Sequence, residues 1–196
     1  MNEKYLIGKI EEGKRNGTFV EREKEKELAD LHMRKAEKDM ASARIERLVI
    51  KDKELRKHPI VKEYDSWDWA ITKSYYAMYH SILSLLAKLG IRTKTHFISL
   101  VAFELFFVKK KIVDEKYLDA FSRVKESAKV PDRYLNEIKE VRQKRFAANY
   151  DVEVSIQEKE ADHCLELAED FIKEMRRVFA EMKNGGSGNK INGPLV

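Results

Sequence analysis

The chain has 196 residues, of which 43% are hydrophobic and 37% charged, with a formal net charge of +5 and a pI of about 9.1. That length corresponds to one ordinary domain with extensions, and the mild basic excess suits a nucleic-acid partner without requiring one, since 34 acidic residues are interspersed among 39 Lys and Arg. A lone cysteine, Cys164, excludes an internal disulfide and cysteine-based zinc sites; with no signal-peptide layout and no uninterrupted apolar run of ~18–20 residues, a cytoplasmic protein with no membrane association is expected.

Residues 1–21 read as an N-terminal arm or small helix marked by Tyr5, Leu6 and Ile10, followed by a turn at Asn16-Gly17. A first long helix is predicted from about Arg22 to Ile50, because Ala29, Met33, Ala36, Met40 and Ala43 recur at spacings of four and three and so share one stripe. A second runs from about Trp67 to Leu89 and ends at Gly90. It is apolar on most sides and should be the most buried. Along it Ala70, Ser74, Ala77, Ser81 and Ser84 form a seam of small side chains that fits either a tightly packed neighbour helix or a subunit interface.

The third helix is expected over about Thr95–Lys111, with Ile98, Val101, Ala102, Leu105 and Phe106 inward and a second apolar contact through Phe103 and Phe107. A short fourth carries Tyr117, Leu118, Phe121 and Val124, and a fifth is predicted from Asp132 to Ala148. The last opens at Ser155-Ile156-Gln157-Glu158, which has the pattern of a capping box, and repeats Ala161, Leu165, Ala168, Ile172, Met175, Phe179 and Met182 at four and three. Residues 184–196 form a Gly-rich, linker-like tail. No stretch alternates with period two for long enough to specify a sheet. The domain layout is therefore an arm (1–21), a helical bundle (22–183) and a flexible tail (184–196). The abundance of Lys and Glu is the kind seen in thermophiles.

The run Asp68-Trp69-Ala70-Ile71-Thr72-Lys73-Ser74-Tyr75-Tyr76-Ala77-Met78-Tyr79-His80 resembles the signature helix of HEPN proteins. Gly90-Ile91 with Lys94-Thr95-His96 resembles the turn that follows it, and Lys38-Asp39-Met40 with Ala43 resembles the family's first helix. Arg142–Asp151 and the helix from Ser155 resemble its closing stretch. The resemblance covers about Leu28–Phe179 and is nearest to small archaeal HEPN proteins. It implies an all-α, up-and-down bundle of four to five main helices that commonly forms a homodimer. Many members are metal-independent endoribonuclease toxins, some paired with a nucleotidyltransferase antitoxin. Their motif is an Arg followed by four to six residues and a His.

The expected motif departs here. Arg142 and Arg145 are present, but the His is absent, and Tyr150 stands five residues after Arg145. Tyrosine titrates near about 10, so it is no ready general base at neutral pH. The resulting expectation is a non-catalytic RNA-binding protein acting on structured RNA or a ribonucleoprotein such as the ribosome, with no cofactor and no metal. Its RNA contacts are assigned to Lys109, Lys110, Lys111, Arg142 and Arg145, and its dimer interface to Ala70, Ser74, Ala77 and Ser81. If it is active after all, Arg145, Tyr150 and Arg142 are the candidate catalytic residues. The alternatives are a toxin ribonuclease and a dimerisation or scaffold module. Tyr75, Tyr76 and Tyr79 are read as core and interface aromatics rather than base-stacking platforms, and His80 and His96 as hydrogen-bonded structural histidines.

Overall fold

A computed structural model describes residues 1–64, 67–128 and 154–183. Among these residues the chain forms six α-helices and one short ribbon: α1 (Glu3–Asn16), β1 (Phe19–Glu21), α2 (Ala29–Lys51), α3 (Trp67–Lys88), β2 (Ile91–Thr93), α4 (His96–Phe103), α5 (Lys116–Ser127) and α6 (Val154–Lys183). The all-α bundle expected from the periodicities is the architecture observed. The expected helix at 132–148 and the tail 184–196 lie outside the described residues.

The helix α3 is the centre of the bundle, with α2 and α6 packed along it. Its Ser84 hydroxyl donates to the Ala29 carbonyl on α2 at 2.8 Å, while Lys73 and His80 approach Asp39. The two helices therefore run antiparallel, in a register that brings Ala77 level with Ala36 and Ala70 level with Ala43. All four of these alanines are buried. The other two seam hydroxyls find acceptors within their own helix, Ser74 on Ala70 and Ser81 on Met78, so small polar residues are buried here without an unmet hydrogen bond.

That packing accounts for the small-residue seam within one chain. Ala70, Ser74, Ala77 and Ser81 are expected at a dimer interface, but they are 0–1% exposed in the single chain. Of the two partners the seam could take, a neighbouring helix or a second subunit, the chain's own α2 is the one present.

The helix α6 lies antiparallel to α2, tied to it by exposed pairs: Arg176 with Glu37 at 2.8 Å, Arg44 with Glu169 at 2.7 Å, and Lys51 with Glu158 at 3.1 Å. Such pairs contribute little singly. The firm attachment of α6 is aromatic. Phe171 is fully buried and meets Phe103, Tyr117 and Phe121 with ring centroids 5.8–6.2 Å apart. Its first residue is Val154, one position before the Ser155 cap read from the sequence, a difference of the size that helix boundaries usually show.

Three local features depart from the sequence reading. The first long helix starts at Ala29, and Glu23–Leu28 form a 3₁₀ segment instead. The third helix widens into a π-turn over Glu104–Val108, which leaves all five of those residues buried. It can do so because it is clasped on two sides: Phe106 meets Phe19 and Phe103 meets Phe171. Finally, β1 and β2 pair antiparallel, with Phe19 opposite Thr93. Three-residue strands are too short to show an alternation. Gly90 makes the ribbon possible, since its φ of 75° is left-handed and a Cβ there would sit 3.0 Å from the Arg22 carbonyl oxygen.

Candidate functional site

One face of α3 carries Trp69, Lys73, Tyr76 and His80 at spacings of four, three and four, which places them in a single stripe. The two tryptophans of this helix differ sharply in environment: Trp67 is 4% exposed and Trp69 is 56% exposed. Tyr76 is half-buried and stacks on His80 at 6.3 Å. The antiparallel α2 brings His32, Lys35 and Asp39 to the same face. The His32 and His80 rings stack at 6.0 Å, Lys73 Nζ lies 3.3 Å from Asp39 Oδ1, and His80 Nε2 lies 3.8 Å from Asp39 Oδ2.

A third histidine joins from α4. Thr95 caps that helix through the Ile98 N–H and so fixes where His96 begins it. His96 stacks on Tyr79 at 4.1 Å, and its Nδ1 is hydrogen-bonded to the Tyr75 hydroxyl. Tyr75 and Tyr79 are core residues, as expected, and His96 is a hydrogen-bonded structural histidine, also as expected. His80 differs: its Nδ1 and that of His32 are buried without a hydrogen-bond partner among the described residues.

The electrostatics follow from this crowding. Burial pushes the His80 imidazole down to about 4; Lys35 acts in the same direction, as do His32 and His96, and only Asp39 opposes them. Burial also lowers His32, assisted by Lys35 and Arg92. At neutral pH both rings are therefore uncharged. Lys35 and Arg92 are exposed, and Lys73 is about one-third exposed, so three permanent cations border two neutral histidines, with aromatic rings alongside. Such a surface can accept an anion, and a flat π-system can lie on Trp69.

Lys109, Lys110 and Lys111 form a separate cationic turn after the π-segment. Lys109 lies 3.7 Å from the buried Glu104 carboxylate, Lys110 stands over the Phe106 ring at 5.9 Å, and Lys111 is exposed with a left-handed φ of 56°. Thirteen residues of helix separate His96 from Lys109, or about 20 Å. The two basic surfaces are thus distinct. Arg142, Arg145 and Tyr150, the other sequence-assigned residues, lie outside the described residues.

The remaining candidates offer less. A groove of about 480 Å³ between α2 and α6 is lined by Glu37, Arg44, Glu169 and Arg176, which are paired with one another. Among the described residues no group of three or more His, Cys, Asp or Glu is arranged to hold a metal ion, and no helix is long and apolar enough to cross a membrane. Cys164 is buried, and that burial pushes its thiol up to about 11, which makes it a poor nucleophile.

Sequence reasoning missed His32, Lys35, Asp39, Lys73, Arg92 and Trp69 as members of one surface. The stripe on α3 had a visible signal in its spacing. The residues facing it from α2 and β2 had none, because they are joined to it only by the fold.

No curated protein and no solved structure matches the chain. A family model for the HEPN domain matches residues 52–178. The match begins just after α2, so the histidine cluster is built partly from matched residues (Lys73, His80, His96) and partly from a helix outside the match. The tyrosine-rich signature on a central helix, the turn leading to His96 and a family match over more than half of the length agree: the chain belongs to the HEPN domain family.

Proposed function

We propose that this protein binds RNA, within a structured RNA or a ribonucleoprotein such as the ribosome, and does not cleave it. The observation that carries this reading is the gathering of cations into two surface patches of a chain whose overall charge is only +5: Lys35, Lys73 and Arg92 around the histidines, and the Lys109–Lys111 turn. Membership of the HEPN family supports it, as do Arg142 and Arg145, whose guanidinium forks match phosphate oxygens. A homodimer remains part of the proposal.

RNA affinity should fall steeply with salt. Changing Lys109, Lys110, Lys111, Arg142 and Arg145 together to Ala should flatten the slope of log affinity against log salt by roughly 0.7–0.9 for each phosphate that is no longer neutralised. Anisotropy of a labelled RNA across a salt series reads this directly. An unchanged slope and affinity would remove these five residues from the interface.

The purified protein should not cleave RNA appreciably in EDTA. Arg145 can steady negative charge, but proton transfer, typically worth about 10²–10⁴-fold, lacks a suitable base. An ordinary tyrosine titrates at about 10, which makes Tyr150 no ready base, and His80, held at about 4, is too weak a base at neutral pH. The check is a cleavage assay on mixed-sequence RNA with wild type, Arg145→Ala and Tyr150→Phe. Cleavage by wild type that both substitutions abolish would restore the toxin-ribonuclease alternative, with its nucleotidyltransferase antitoxin as the partner to seek.

A further inference from the structure

We propose that the α3 stripe is a platform for single-stranded RNA, on which unpaired bases stack against Trp69 and Tyr76 while the intervening backbone lies against Lys73, Lys35 and Arg92. This rests on the RNA-binding reading and adds to it the strandedness of the ligand: an unpaired loop or end of the target rather than its duplex stems.

Three observations favour this ligand. First, α3 buries one tryptophan and exposes the other, so an indole 56% exposed stands on the central helix of the bundle. A single exposed apolar side chain is ordinary. One in register with Lys73, a half-exposed Tyr76 and a stacked His80 is an ordered alternation of π-faces and cations, which is how proteins hold single strands without reading sequence.

Second, the charge is complementary to a backbone. Lys35 and Arg92 are exposed beside the stripe, and Lys73 is held along it by Asp39 at 3.3 Å. Among the described residues Asp39 is the acid paired with this cluster, and it is 7% exposed, so it orients Lys73 from below rather than presenting its charge to a ligand.

Third, the spacing selects against a duplex. Trp69 and Tyr76 are two helical turns apart, about 10 Å along the axis. Stacked neighbours in a strand are about 3.4 Å apart. Two rings at this separation cannot hold adjacent stacked bases; they suit bases splayed from an extended strand. A duplex, with its base faces covered, offers them nothing to stack on.

The test uses the full chain and a short mixed-sequence RNA, presented as a single strand and annealed to its complement, at low salt. Binding is read by anisotropy and by intrinsic tryptophan fluorescence. Trp67 is buried, so ligand-dependent quenching reports on Trp69. The single strand should quench the emission. Trp69→Leu should abolish the quenching and weaken single-strand binding by about tenfold or more, since stacking contributes about 1–3 kcal/mol per base. Tyr76→Phe, which keeps the ring, should bind as wild type, and Tyr76→Ser should not. Duplex should bind more weakly and leave the emission unchanged.

Single-strand binding that is salt-sensitive but indifferent to Trp69→Leu overturns the platform while leaving the RNA-binding reading in place; so does duplex binding as tight as single-strand binding. No binding of either form by wild type brings down the RNA-binding reading itself. A concentration-dependent shift of Trp69 emission in the absence of RNA assigns the face to a second copy of the chain and also overturns the platform. Trp69 is exposed, so its replacement should leave the thermal melt unchanged, which separates lost binding from lost folding.

Discussion

Acidification from pH 7 to pH 5 is expected to remove about 2 kcal/mol of folding stability through His80 alone. Its imidazole titrates at the ordinary 6.5 when the chain is unfolded and at about 4 when folded, so between these values the unfolded chain binds a proton that the native state refuses. The sign follows directly. Above pH 6.5 neither state is protonated there, and the native state is at full advantage. As pH falls below 6.5 the unfolded state gains protons and stability drops, until the folded group begins to titrate near 4. The side chain is 13% exposed, so solvent screening reduces the effect little.

His32, also lowered, should add to the loss in the same direction. The groups that face His80 are His32, Lys35 and Asp39 from α2 and His96 from α4, with Tyr76 and Tyr79 on its own helix. Denaturant unfolding at a series of pH values checks this, with His80→Asn as the comparison. The variant should show a visibly flatter profile between pH 5 and 6.5. Identical slopes for the two proteins would mean that His80 is not held neutral by its surroundings.

Replacing Ala77 with Trp should destabilise the protein by about 1–3 kcal/mol. Ala77 is fully buried on the face of α3 that meets α2, at the level of Ala36, which is also fully buried. The close approach of the two backbones is recorded by the 2.8 Å bond from Ser84 to the Ala29 carbonyl. A close-packed interior has no space for an indole, so α2 must move away or the side chain must adopt a strained rotamer. Chemical denaturation measures the cost. Sizing chromatography of the same sample shows whether self-association changes with it; on this packing it should not. Unchanged stability would show that α2 and α3 do not touch here.

Much of the fold was legible because amphipathic spacing is a local property. The four-and-three repeats from Ala29 to Ala43 and from Ala161 to Met182 each mark one buried stripe, and both lie in the helices expected of them. The all-round apolar character of residues 67–89 likewise announced the central helix. The ribbon was not legible, because three residues cannot display a period, and neither was the π-turn at Glu104–Val108, whose residues are equally apolar whichever helical pitch they adopt.

The candidate surface divides along the same line. The stripe of Trp69, Lys73, Tyr76 and His80 is written in the spacing of α3. Its chemistry is not, because that depends on Asp39 and His32, which belong to another helix, on Arg92 from the ribbon and on His96 from α4. By itself the sequence determined the helices, their buried stripes and the kinship of the chain with HEPN proteins, since each rests on residues a few positions apart. Only the tertiary structure decided that α2 packs along the small-residue seam, and that three histidines distant in sequence crowd together until one of them is neutral down to about pH 4. Periodicity says which side chains share a face; which face meets which, and how much water is excluded between them, is settled only when the elements pack.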